Sequence, residues 1–594
     1  MSAIDRVLTT ATLLADLRAG RTTPAAVVEQ ALDRIAERGD DGTWITVQQR
    51  DVLLARTAAL EADPSARRLP LYGVPFGVKD SIDVAGLPTT LACPAYADSR
   101  GVPTTSAEVV LRLEAAGAVC LGKTNLDQFA TGLNGTRTPY TVPRSTFGGG
   151  LISGGSSSGS ALAVAGGVVA FAVATDTAGS GRVPAALNAV LGYKPSRGLI
   201  STVGLVPACR SLDCVTLIAS CADDLRRVMD VVASAPDQRD PWSRPRSSAR
   251  PPRVRIGLPD PADLPFGHAG HDDGDLRAAH VAATGALEAV GDVVPVTPDP
   301  FLQAGELLYA GPWVAERTLE FSSFLTEHRD DVLDVVAGII DSGSRFSAVD
   351  AFAAQYRLAE LRAAAARTWE QVDVVVLPTI PTTFTVEQVL ADPVATNTTL
   401  GTYTQSGNLL DLCGAVVPAP PTADGRPVGL MVLGPALADE AVLHVAERLA
   451  ELFGPQAPVE RTDLLVAGHH LAGGPRNHEL TERGARLVTA TRTAPSYRLL
   501  RFDDDAGRSV PALLRDAGSP SQDSGGISVE VWSVPTDQLP GFLTGVPDVL
   551  ELGEVELADG RTVAGLACAA GADPASATDI TADGGWRAHL ALTA

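Results

Sequence analysis

The sequence predicts an α/β protein: a mixed α/β core followed by a separate, smaller α/β or mostly β domain. Three observations carry this. From Leu71 to about Ser220, short apolar runs alternate with Gly-rich turns, and helical segments lie between them. Near Gly454 to Asp463, Pro-containing sequence precedes a new series of strand-like runs. With 594 residues, 45% of them hydrophobic and 20% charged, the chain is long enough for at least two cores.

Taken in order, the first element is an amphipathic helix. Thr23 is its N-cap, Pro24 stands at the first helical position, Val28, Leu32 and Ile35 share a face, and Gly39 terminates it. Ser106 to Ala116 reads as a helix and Ala118 to Leu121 as a buried strand. Ser234 to Asp275, rich in Pro, Arg, Asp and Gly, reads as a surface connection around one strand, Val254 to Leu258. Val374 to Leu377 is a further strand. Beyond the boundary, strands are expected at Leu464 to Ala467, Tyr497 to Phe502, Ile527 to Val534 and Gly553 to Leu557. The expected domains are residues 1–458 and 464–594.

Composition bounds the function. A net charge of −23 disfavours nucleic acid or an anionic membrane as partner. The amino-terminal stretch lacks a basic flank followed by a long apolar core, and the run from Ala161 to Thr175 is too short and Gly-interrupted to span a bilayer. A cytoplasmic protein acting on a small molecule is expected. Seven cysteines without CxxC pairs suit reduced thiols better than disulfides or zinc, and no metal site is expected.

The chemistry lies in two Ser/Gly loops around one buried element: Gly154-Gly155-Ser156-Ser157-Ser158-Gly159-Ser160, then Thr175-Asp176-Thr177-Ala178-Gly179-Ser180-Gly181-Arg182. Small residues allow sharp turns whose N–H groups can face a developing oxyanion. A nucleophilic serine usually needs a histidine, yet all nine histidines lie at or beyond His268. Only three of the 47 basic residues are lysines: Lys79, Lys123 and Lys194. Lysine, unlike arginine, can lose its proton near neutral pH when buried, and apolar residues precede Lys79.

These motifs resemble the amidase signature family, most strongly over Leu71 to Ser220. The resemblance implies an amidase signature fold, Ser180 as nucleophile, Ser156 as a bridging serine in a cis peptide, and Lys79 as base. It places the oxyanion hole at the N–H groups of Thr177, Ala178, Gly179 and Ser180, with Asp176 and Arg182 bracing the loop. No cofactor is implied. Ala178 replaces a commoner glycine, so a positive φ there would strain it.

Gly117 to Thr124 matches the P-loop pattern letter for letter, but Gly117 ends a helix and the following residues form a strand, the reverse of a P-loop's context. Other readings are a transamidation component that releases ammonia from glutamine, against which the appended domain argues, and an inactive amidase-like scaffold.

For the substrate, Tyr309 and Arg317 are eight residues apart. On one helix they would share a face and could grip a carboxylate. That segment, Gly122 to Gly132 and Val206 to Cys214 resemble the allophanate hydrolase branch of the family, in which the tyrosine and arginine bind the carboxylate of allophanate (urea-1-carboxylate) during urea or s-triazine breakdown. Another small carboxylate-bearing amide is the alternative. Gly468 to Pro475, Thr493 to Leu499 and Gly584 to Ala588 resemble that branch's second domain, of γ-glutamyl-cyclotransferase-like fold. There the domain serves decarboxylation of the product or assembly, with His470 the candidate acid or base; a homodimer is the expected assembly. Thr404 to Asn408 and Gly565 to Cys568 depart from the branch's pattern.

Overall fold

The structure, a computed structural model, describes residues 8–247, 253–456, 461–503, 509–516, 525–536 and 538–593; within these, the side chain of Tyr309 also lies outside the description. The chain separates into two compact units. The first comprises Met1–Thr146, Leu151–Thr422 and Arg426–Ala457, and the second gathers Phe147–Gly150 and Ala423–Gly425 with Pro458–Ala594.

In the first unit the described strands form one mixed sheet: β1 (Trp44–Val47), β2 (Pro75–Lys79), β3 (Val119–Thr124), β4 (Phe171–Asp176), β5 (Leu191–Lys194), β6 (Cys214–Ala219), β7 (Arg255–Leu258), β8 (Asp292–Pro295), β9 (Val374–Pro378), β10 (Cys413–Ala419) and β11 (Val428–Gly434). Their spatial order is β1-β3-β2-β4-β6-β5-β10-β11-β9-β7-β8. The central strands β4, β9, β10 and β11 are buried along their whole length, which is why they read as unbroken apolar runs rather than alternating ones.

Several expected elements stand where the sequence places them. The Thr23 hydroxyl accepts from the Ala26 N–H to start helix Pro24–Arg38, and Gly39 ends it at φ +61°. The apolar run Ala161 to Thr175 is no single helix. Helix Ser158–Ala165 stops at Gly166, and the chain continues as β4. Among the described residues no helix is long and apolar enough to cross a membrane. Lys123 lies inside β3, its ammonium 2.7 Å from Asp80 with both side chains fully buried, so the P-loop pattern is a coincidence of letters.

The second unit has its own core around Leu464, Leu499, Val531 and Trp532. Its described strands are β12 (Arg461–Val466), β13 (Arg486–Arg492), β14 (Tyr497–Asp503), β15 (Ser509–Arg515), β16 (Ser528–Pro535), β17 (Leu550–Glu556), β18 (Thr562–Cys568) and β19 (Thr578–Asp579). They run in the order β13-β16-β12-β18-β15-β14-β19, with β17 also paired to β18.

Candidate active site

Parallel pairing assembles the site. β2 and β4 are neighbours with Val78 opposite Val173, so their carboxyl ends bring Lys79, the last residue of β2, beside Thr175. Ser156 lies on the crossover from β3 to β4, just before helix Ser158–Ala165, and the Gly155–Ser156 peptide is cis. Ser180 occupies the turn between β4 and helix Arg182–Leu187. The three residues thus converge outside the carboxyl ends of parallel strands, the usual ligand position in open α/β sheets.

Lys79 Nζ lies 2.8 Å from Ser156 Oγ and 2.7 Å from Thr175 Oγ1. Burial penalises its charged form and pulls its pKa from 10.5 to about 7, against the carboxylates of Asp127, Asp176 and Asp213; the Arg317 charge adds to the depression. The Ser157 N–H donates to the Ser180 carbonyl at 3.1 Å, fastening the two loops together. Among the described residues no hydrogen bond joins the Ser156 and Ser180 hydroxyls, so the relay is drawn only as far as Ser156.

Asp176 organises the nucleophile loop. Its oxygens accept from the N–H groups of Gly179 at 2.8 Å, Gly181 at 3.2 Å and Arg182 at 3.3 Å, and from the Arg182 guanidinium through Nε and Nη2, each at 2.9 Å. Burial would raise this carboxyl, but the Arg182 charge and hydrogen bonds outweigh it and hold its pKa at about 2.

One expectation about the loop is corrected, and one condition set for it is not met. The Gly179 N–H is turned onto Asp176 and so is not free for an oxyanion, whereas those of Thr177, Ala178 and Ser180 donate to no protein acceptor among the described residues. The positive φ falls on Gly179, at +119°, and not on Ala178, so alanine carries no strain there. The unusual segment Thr404 to Asn408 has a structural task. The Thr404 hydroxyl donates to the Ala178 carbonyl at 2.7 Å, its carbonyl and Asn408 Oδ1 both accept from Arg182 Nη2 at 2.9 Å, and Asn408 Nδ2 donates to the Asp176 carbonyl at 2.8 Å.

Tyr309 and Arg317 do not share a helix. Gly311 and Pro312 break the chain between helix Asp299–Ala310 and helix Val314–Glu327, so the argument from helical spacing fails. Arg317 is nonetheless buried, and its Nη1 donates to Thr131 Oγ1 at 2.9 Å and to the carbonyls of Phe129 and Ala130 at 3.3 and 3.4 Å. Phe129 and Ala130 hold positive φ angles of 53° and 51°, a rare conformation for such residues and one typical of functional sites. A cavity of about 820 Å³ opens nearby, lined in part by Ala310, Val314, Asn397 and Gln405.

Sequence reasoning missed Thr175, Asp127 and Asp213. Asp127 lies in the motif Gly122 to Gly132, where its oxygens accept from the Gly135 and Arg137 N–H groups at 3.1 and 3.0 Å and its N–H donates to the Ser156 carbonyl at 3.2 Å. Lys194, like Lys123, is structural, donating to the Leu412 and Pro195 carbonyls.

In the second unit His470 is buried. Its Nε2 lies 3.2 Å from Glu479 Oε2, its ring meets Phe542 edge-on at 5.0 Å, and burial lowers its pKa. A cavity of about 920 Å³ in this unit is lined by residues including His469, Arg476, Asp503 and Asp548.

The amidase family profile matches residues 26–443, and the chain belongs to that family. The profile of the allophanate hydrolase C-terminal domain matches residues 462–591. The chain is similar to the structure of Kluyveromyces lactis allophanate hydrolase, with a TM-score of 0.70 and 33% identity over 99% of both chains. It is 36% identical over 600 residues to urea amidolyase of Saccharomyces cerevisiae, covering 95% of this chain and 32% of the yeast protein. It thus spans about a third of the length of the urea amidolyases it matches. A glutamyl-tRNA(Gln) amidotransferase component of Symbiobacterium thermophilum is 32% identical over 469 residues, covering 72% of this chain and 93% of that protein.

Proposed function

We propose that this chain hydrolyses allophanate through a Ser180–Ser156–Lys79 relay, in the cytoplasm, as a homodimer and without a cofactor. The observation that carries the mechanism is a fully buried lysine with its pKa near 7, in hydrogen-bond reach of Ser156. Neutral Lys79 takes the Ser156 proton as Ser156 takes that of Ser180. Ser180 Oγ bonds to the amide carbonyl carbon, the C–N bond breaks, and ammonia leaves with a proton returned through Ser156. Water then hydrolyses the acyl-enzyme by the same path. The N–H groups of Thr177, Ala178 and Ser180 face the developing oxyanion, and Arg317, with Tyr309, holds the substrate's carboxylate.

The domains on this reading are 1–458 for amide hydrolysis and 464–594 for the later step, in which His470 assists decarboxylation of the dicarboxylated product. The likeness to allophanate hydrolase over nearly the whole chain supports the substrate, and the buried guanidinium beside the relay supports a carboxylate-bearing amide in particular.

The test is ammonia release from allophanate, with biuret, urea and malonamate in parallel, by wild type, Ser180→Ala and Arg317→Ala. Turnover of allophanate abolished by Ser180→Ala and strongly weakened through KM by Arg317→Ala is the expected result. Turnover of another amide alone would discard the substrate, and activity surviving Ser180→Ala would discard the mechanism.

A further inference from the structure

Asp213, the residue before β6, sits between the nucleophile loop and the helix that carries Arg317. It is buried. Its Oδ1 accepts the Thr177 hydroxyl at 2.5 Å, and its Oδ2 accepts the N–H groups of Ala208 and Cys209 at 2.8 and 3.1 Å. The turn so closed is held from its other side by Glu316. The Ser211 N–H donates to Glu316 Oε2 at 2.9 Å, and the Ser211 hydroxyl donates to Oε1. Cys209 Sγ also lies 3.8 Å from the Trp313 carbonyl. Glu316 immediately precedes Arg317 in the first turns of helix Val314–Glu327. Hydrogen bonds and short backbone links therefore connect Thr177 through Asp213 and the 208–211 turn to the side chain of Glu316, the residue before Arg317.

None of these groups is placed to touch a reacting atom, so they act by position through Thr177 and Arg317, and Asp213 acts besides through its charge on Lys79. We propose that Asp213 is a positioning residue: it fixes the Thr177 end of the nucleophile loop and, with Glu316, sets that loop in register with Arg317. The register matters because a substrate anchored by its carboxylate at one end must present its carbonyl to Ser180 at the other. The proposal rests on the reading of Ser180 and Arg317 given above.

The Asp213 charge leaves its own mark on the pH profile beside the positioning: burial raises the pKa of its carboxyl to about 6, so above that pH it stands ionised near Lys79. The charged groups acting on Lys79 are Asp127, Asp176, Asp213 and Arg317, and the Asp213 carboxylate is one of three that favour the charged lysine. Removing that charge lowers the lysine's pKa further; removing only a packing element would not. Asparagine keeps the shape of Asp213, but its amide nitrogen cannot accept, so either the Thr177 hydroxyl or the paired N–H groups lose their acceptor.

The test uses the full chain and a fluorophosphonate that phosphonylates the active serine. The probe carries no carboxylate, so its readout is independent of the substrate's identity. Asp213→Asn is expected to slow labelling of Ser180 on the order of 10²-fold, the scale of a misplaced reacting group, and to move the acid limb of the labelling rate to lower pH. In a Thr177→Val background, Asp213→Asn should add little slowing. Glu316→Gln should act mainly on KM for the carboxylate-bearing amide. If Asp213→Asn does not fold, Thr177→Val, which removes only the hydroxyl donor, must itself slow labelling. Labelling at the wild-type rate with an unmoved acid limb, or slowing that adds in full to that of Thr177→Val, overturns the proposal. Labelling without allophanate turnover would remove the substrate reading and leave the loop positioning to be judged by the probe alone.

Discussion

Asp176 and Arg182 form a two-pronged ion pair in which both side chains are fully buried and the carboxylate also accepts the N–H groups of Gly179 and Gly181. A buried charge left without its partner is costly. Arg182→Ala is therefore expected to destabilise the fold by about 3–5 kcal/mol and to abolish labelling of Ser180. Replacing both residues, as in Asp176→Leu with Arg182→Met, should recover part of that stability and none of the activity. Chemical denaturation of the single and double variants reads the first effect, and phosphonate labelling the second.

Gly179 and Ala178 should respond oppositely to exchange. A Cβ on Gly179 would stand 2.2 Å from Thr404 Oγ1, at a φ of +119° that side chains avoid. Gly179→Ala should thus disrupt the loop and lose activity even when Thr404 is shortened to Ala, because the backbone strain remains. Ala178→Gly removes no strain and should cost under about 1 kcal/mol through the entropy of the unfolded chain, with kcat close to wild type. Steady-state kinetics of the three variants separates the two positions.

How much of this was legible in the sequence depends on how local each feature is. The two Ser/Gly loops and Lys79 could be singled out because their small residues and the scarce lysine stand out in the letters, and the fold brings Lys79 to Ser156. Helix Pro24–Arg38 could be read because its caps are adjacent in the chain. The partners of the nucleophile loop could not. Thr404 and Asn408 reach Ala178 and Asp176 across 226 and 232 residues, and no periodicity encodes such a meeting. Asp213 was visible as a letter in a motif, but its hydrogen bond to Thr177 depends on the antiparallel pairing of β4 with β6. Tyr309 and Arg317 are eight residues apart in the chain, but Gly311 and Pro312 between them end one helix before the next begins.

Lys123 tests the P-loop coincidence. Its ammonium is spent on Asp80, Thr89 and the Pro88 carbonyl, all inside the fold. Lys123→Met should destabilise by about 3–5 kcal/mol because Asp80 is left buried and unpaired. Millimolar ATP with Mg²⁺ should leave the Tm of wild type unchanged. An ATP-dependent rise in Tm that is lost in Lys123→Met would show that the nucleotide-binding reading had been dismissed wrongly.

Lys79 links activity and stability through one proton. Its pKa falls from 10.5 in the unfolded chain to about 7 in the fold, so the neutral amine is the majority form only above about pH 7. The kcat/KM should accordingly fall roughly tenfold per unit as pH drops below that value, as expected for a single essential base. Lys79→Arg, which cannot supply a neutral base, should lose on the order of 10²–10⁴ in kcat. The sign for stability follows from proton counting. Between the folded and unfolded pKa values the unfolded chain binds more protons, so the unfolding free energy rises with pH across that interval, and the penalty of burying the charged lysine is full below it. Lys79→Met removes the penalty. It should therefore melt at a higher temperature than wild type at pH 6, with the gap narrowing toward pH 10, while phosphonate labelling of Ser180 is lost at every pH. A gap that stayed constant with pH would mean that Lys79 is not the titrating group, and an acid limb that persisted in the residual activity of Lys79→Met would assign the essential base elsewhere.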